Sequence, residues 1–109
     1  MQNFLEKLNE YQKVVEQLQQ DYWTHMKFTY APVPKVELVH GNRYVKVMVV
    51  EYSFNGDRVS SHPHTFIDKT NGDILKTATY KAPQKNGVRG NIFNDYSNKI
   101  NHHGAIYLK

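Results

Sequence analysis

At 109 residues the chain has the length of one domain. Its net charge of +4 is unevenly spread: residues 1–54 set six Lys/Arg against six Asp/Glu, whereas residues 55–109 set eight against four. That asymmetry points to an anionic partner, a nucleotide or a nucleic acid. The lack of cysteine excludes disulfides, thiolate metal sites and a cysteine nucleophile. No apolar run reaches membrane-spanning length, and Met1–Asn9 lacks the basic-then-apolar layout of a signal peptide, so a soluble intracellular protein is expected.

The first 26 residues read as a helix. Phe4, Leu8, Tyr11, Val15, Leu18 and Tyr22 recur at spacings of four and three, and Leu5, Val14, Trp23 and Met26 widen the stripe. Asn3 is placed to cap the start, with Glu6 in position for a capping box. So wide an apolar face exceeds what one helix on a small sheet needs, which leaves two readings: all of it is core, or part of it packs on a second copy of the chain. Pro32 and Pro34 then impose an extended linker.

Three turn signals follow: Gly41-Asn42, Asn55-Gly56 (the type I′ hairpin dipeptide) and Asn71-Gly72. The segments between them, Lys35–His40, Arg43–Phe54, Thr65–Asp68 and Asp73–Lys76, are rich in Val, Ile, Tyr, Thr and Phe, as strands are. Tyr44–Phe54 is apolar on both parities, which predicts a central strand covered on both faces. The expected fold is α+β: an amphipathic helix on an antiparallel meander of about four strands, followed by a basic loop and a short helix. Gly90-Asn91 would cap that helix through Ile92, Phe93 and Tyr96, and Gly104–Lys109 would close the chain as an edge strand.

Ile74 to Asn91 contains no acidic residue, while Lys76, Lys81, Lys85 and Arg89 recur through it around Tyr80. Cations with an aromatic in a loop suit a phosphate-bearing ligand. Arg89 can grip a phosphate with paired hydrogen bonds, and Asn91 can read a base edge or ribose. Trp23, Phe66 and Tyr80 offer faces for stacking on a base, although core packing accounts for Trp23 equally well.

Catalysis has no positive support. His62-Pro63-His64-Thr65 resembles the HxT pair of phosphodiesterases only superficially, because a second copy is missing. Neither that pair nor His102-His103 has an obvious carboxylate partner for a metal. Asp57, Asp68, Asp73 and Asp95 all sit at turns or loop edges, where Asp serves turn geometry. No cofactor is expected.

The central stretch resembles a motif of small tailed-phage proteins. Its residues here are Phe66-Ile67-Asp68, Asn71-Gly72-Asp73, Lys76, Ala78-Thr79-Tyr80-Lys81, Pro83, Lys85 and Arg89-Gly90-Asn91. Within that group it is similar to the anti-Thoeris sponge proteins, which sequester cyclic ADP-ribose isomers without cleaving them. The resemblance implies an α+β homo-oligomer with ligand pockets between subunits, no enzymatic activity, and action in the cytoplasm of an infected bacterial host. Phe66, Lys81, Arg89 and Asn91 are the positions it carries over, while Tyr80 stands where many relatives have Trp. The alternative is a phage nucleic-acid-binding accessory protein using the same cations and aromatics on an open face.

Overall fold

The computed structural model describes residues 3–106, the side chains of residues 85 and 86 apart. Helix α1 spans Phe4–His25, and Asn3 caps it by accepting the Leu5 N–H at 2.8 Å. The residues it buries, Leu8, Tyr11, Val15, Gln19 and Trp23, keep the four-and-three spacing, whereas Leu5, Val14 and Met26 stay exposed. No helix is long and apolar enough to cross a membrane among the described residues.

The sheet has five strands, not four: β1 (Lys35–His40), β2 (Tyr44–Tyr52), β3 (Arg58–Asp68), β4 (Asp73–Thr77) and β5 (Pro83–Asn91). They form an antiparallel meander in the order β1-β2-β3-β4-β5. The additional strand lies where a basic loop was expected. Pro83 is tolerated because it opens an edge strand, where the missing N–H breaks no interior ladder. The expected short helix is absent as well, since residues 92–99 are turns and bends. Asn91 Oδ1 accepts the Phe93 N–H at 2.9 Å, as in an Asx turn, and does not cap a helix. Ala105 makes a single bridge to Ile100, and the remainder of the expected Gly104–Lys109 strand, residues 107–109, lies outside the described residues.

Strand alternation divides β2 as its sequence predicts. Val45, Val47 and Val49 join Leu8, Tyr11, Val15, Val36, Ile67, Ile74, Ile92 and Ile100 in the core beneath α1. Met48 and Val50 point to the opposite face, with Phe66 and Leu75, and are buried there too. A bulge at Val47/Met48 makes His64 an extra residue of β3, so His64 and Thr65 both meet the helix side.

The turn dipeptides mark the hairpins, but not in the expected geometry. Among the described residues Lys27 is the only non-glycine at positive φ, so Asn55 cannot take part in a type I′ turn. The Gly56 N–H donates to Ser53 O at 3.0 Å and the Ser53 N–H to Asp57 O at 2.8 Å, with Gly56 at φ +92°: a turn ending in a left-handed glycine. Gly72, at φ +81°, is under tighter constraint, because a Cβ there would come within 2.7 Å of the Phe93 ring. Left-handed strain alone costs about 1–2 kcal/mol. Gly72→Ala is therefore expected to lower stability by about 2 kcal/mol or more, read as a drop in the urea midpoint at unchanged slope.

Candidate functional site

On the sheet face away from α1, the β1–β2 turn and the start of β2 border a cleft of about 330 Å³. Arg43, Lys46 and Lys81 line it together with Tyr44, Phe66, Asn42 and Val39. Pairing of Lys46 with Phe66 across β2 and β3 brings cation and ring together, with Lys46 Nζ 6.0 Å from the Phe66 centroid and 4.6 Å from that of Tyr80. Arg43 lies over Tyr44 at 5.3 Å, and the Tyr44 and Phe66 rings meet edge to face.

Asp68 is the carboxylate beside this group, and its oxygens are already engaged. Oδ1 accepts the Thr70 N–H at 2.9 Å and the Thr70 hydroxyl at 2.6 Å, while Oδ2 faces Arg43 Nη2 at 3.4 Å. Burial pushes the Asp68 carboxyl up, but the Thr70 hydrogen bonds and the Arg43 charge together outweigh it and hold the group below its ordinary value. Asp68 thus fixes one edge of the Arg43 guanidinium, whose side chain remains largely exposed to the cleft. A flat ring bearing phosphate fits this arrangement: cations take the anion and the aromatic faces take the ring.

Of the sequence-predicted site residues, Phe66 and Lys81 line the cleft and Tyr80 reaches it through Lys46. The others are placed elsewhere. Lys76 borders a separate cavity where β3 and β4 part beyond the Phe66–Leu75 pair. Arg89 is the extra residue of a β5 bulge between Val88 and Gly90, and its Nη1 donates to Val88 O at 3.4 Å. Asn91 is committed to the fold, donating to Asn71 O at 2.8 Å and Asp73 Oδ1 at 3.1 Å. Trp23 belongs to the interior: it is 8% exposed, its Nε1–H donates to Ala31 O at 3.1 Å, and it packs against Phe28 near the Tyr52 end of β2. The side chain of Lys85 lies outside the described residues. The expected convergence of Lys76, Lys81 and Arg89 fails because they stand on three different elements: β4, the turn that follows it and the bulge of β5.

Arg43, Tyr44 and Lys46 are the members that sequence reasoning missed. The available signal was register: Tyr44 and Lys46 share a parity, and aligning the two hairpins sets Lys46 across from Phe66.

The larger cavity, about 510 Å³, lies where β3 and β4 part and is lined by Pro63, His64, Lys76, Thr77, Asn101 and residues 103–106. It has less to offer an anion, because Lys76 is the one Lys or Arg among its described lining residues, against Arg43, Lys46 and Lys81 at the cleft. His64 serves structure there. Its Nε2 lies 2.7 Å from Asn101 O and its Nδ1 3.0 Å from Thr65 Oγ1, which in turn is 2.6 Å from the Tyr11 hydroxyl. Burial lowers the His64 pKa to about 4, so the ring is neutral, with Nε2 donating to Asn101 O and Nδ1 accepting from Thr65. Burial likewise raises the Tyr11 hydroxyl. With both ring nitrogens engaged, His64 is no free base for a phosphodiesterase. Among the described residues no group of three His, Asp or Glu side chains is placed to hold a metal.

No curated protein and no solved structure matches the chain. Residues 1–105 do match one protein family, described as a family of unknown function, DUF7717. That match spans nearly the whole chain, and the protein belongs to the DUF7717 family.

Proposed function

We propose that the protein binds a small nucleotide-type anion, a cyclic ADP-ribose isomer or a related cyclic nucleotide, and inactivates that signal by holding it uncleaved. The observation that carries this reading is the convergence of Arg43, Lys46 and Lys81 with Tyr44 and Phe66 on one cleft whose neighbouring carboxylate is already engaged. Retention alone requires no reacting group. The resemblance to tailed-phage anti-defence proteins supports the choice of ligand class and the cytoplasm of an infected host as the place of action. Self-association belongs to the same reading: a cleft of about 330 Å³ lies at the small end of ligand sites, and a second copy of the chain would supply the walls it lacks.

A second reading has its own observation. Lys35 lies 5.3 Å from the Tyr52 ring on the same sheet face, which extends the cation–aromatic pairs beyond the cleft, as a track for single-stranded nucleic acid would.

The test incubates the purified protein with cyclic nucleotides and cyclic ADP-ribose isomers, then heats it and analyses what is released. Depletion followed by recovery of the intact molecule is the expected result, and a cleaved product would overturn sequestration. Salt separates the two readings. A closed site contacting one or two phosphates loses affinity shallowly with ionic strength, whereas an oligonucleotide track loses it steeply, with a slope near −0.7 per phosphate contacted.

A further inference from the structure

The β4–β5 turn, Ala78–Ala82, is closed on itself. The Ala78 and Thr79 N–H groups both donate to Ala82 O, at 3.1 and 3.0 Å, and the Ala82 N–H returns to Thr79 O at 3.3 Å. Thr79 Oγ1 accepts the Lys81 and Ala82 N–H groups at 3.3 and 3.1 Å. Tyr80 ties this unit to the sheet face. Its hydroxyl pairs with Ser61 Oγ at 3.0 Å, its ring sits 4.6 Å from Lys46 Nζ, and it remains 50% exposed.

Register identifies what lies beneath that ring. Val50 stands across from Ser61, Met48 from Pro63 and Lys46 from Phe66. A ring spanning Ser61 to Lys46 therefore lies over Met48 and Pro63. Met48 and Val50 are buried there, on the face that α1 does not cover. An apolar floor thus adjoins the cationic cleft, and Lys46 belongs to both.

Resting on the proposed nucleotide reading, we infer that the β4–β5 turn is a flap and that the floor beneath Tyr80 is the ring subsite of the same ligand. Both tethers are weak in water: one neutral hydroxyl pair and one partly exposed cation–π contact. An anion arriving at Lys46 competes with the Tyr80 ring for the ammonium group, so phosphate binding and flap release are coupled. The ligand's ring then enters over Met48 and Pro63, and Tyr80 closes on it from above. The ligand class follows: a phosphate bearing a planar ring is held far better than the same phosphate without one.

Met48 is one of three methionines, so its labelled methyl group can be resolved as a reporter. A soluble gadolinium chelate is expected to broaden the Met48 methyl several-fold faster in Tyr80→Ala than in wild type, with Tyr80→Phe and Ser61→Ala in between. Equal broadening in all four proteins overturns the flap, whether or not any nucleotide binds. ADP and inorganic pyrophosphate share their phosphates and differ in the ring. ADP is expected to shift the Met48 methyl and to bind at least 10-fold tighter, whereas pyrophosphate leaves the methyl in place. Equal affinities, or ADP bound with Met48 unmoved, overturn the ring subsite and leave the anion cleft standing. If neither these probes nor any of the cyclic nucleotides binds, the nucleotide reading itself fails, and the ring subsite with it.

Discussion

Lys46→Ala is expected to weaken ligand binding roughly 10- to 100-fold while the melting temperature stays within a few degrees. A hydrogen bond to a charged group contributes about 1.5–3 kcal/mol, which converts to that range of affinity. Lys46 stands between Phe66 and Tyr80 and faces the cleft with Arg43 and Lys81, so its ammonium is central to the anion position. Its loss leaves the core beneath α1 untouched, because that core lies on the other side of the sheet. Arg89→Ala is the matched control. Sequence reasoning makes Arg89 the principal phosphate ligand, whereas the β5 bulge puts it outside the residues lining the cleft. Isothermal titration of both variants with the captured ligand is decisive. Strong loss in Arg89→Ala with little change in Lys46→Ala would place the site elsewhere.

The second large effect is on stability against pH. His64 is neutral in the folded protein because burial lowers its pKa from 6.5 to about 4. An unfolded chain protonates this ring below about pH 6.5, so it binds more protons there than the folded one does, and stability falls as the pH falls. The loss begins near pH 6.5, amounts to about 3 kcal/mol by pH 4 and levels off below that. His62 and His102, also lowered by burial, act in the same direction. Asp68 works in a different window: its carboxyl is held below its ordinary value, so its contribution is complete above about pH 4 and is lost under more acid conditions. Urea denaturation at pH 7 and pH 4.5 separates these effects. His64→Gln is expected to be less stable than wild type at pH 7 and to show a much flatter pH dependence. An unchanged slope in that variant would assign the titration to other groups.

How legible each element was depends on how much of its surface the fold buries. α1 and β2 could be read directly because their buried residues recur at the period of their own secondary structure. β3 was seen only from Thr65 onward. Its earlier part, Arg58–Pro63, is mostly exposed and carries Ser, His and Pro, so it is a strand because β2 pairs with it and not because its residues alternate. β5 was missed for a related reason. With Pro83, Gly87 and Gly90 it has little strand propensity, and pairing with β4 on one side supplies what the sequence lacks. The site was legible in part. Phe66, Tyr80 and Lys81 lie in the recognised stretch, but Arg43, Tyr44 and Lys46 become their neighbours only through register. The lysines and Arg89 appeared to converge because spacing along a loop resembles proximity, whereas the fold sets Lys76 on β4, Lys81 in the turn that follows and Arg89 at the bulge of β5.

Strand order in this sheet is also order along the chain, and that shapes how the fold assembles. Each strand pairs with the one just before it, so the sheet can grow hairpin by hairpin, with little loop entropy lost at any step. α1 precedes all of them and has no complete floor until β1, β2, β3 and β4 stand side by side, since its core residues pack with Val36, Val45, Val47, Val49, Ile67 and Ile74. Through that interval Leu8, Tyr11 and Val15 face water, making the helix stripe the sticky surface of the immature chain. Mutations that slow the central hairpins should therefore be felt first as aggregation during synthesis, well before they register as a lower melting temperature in the purified protein.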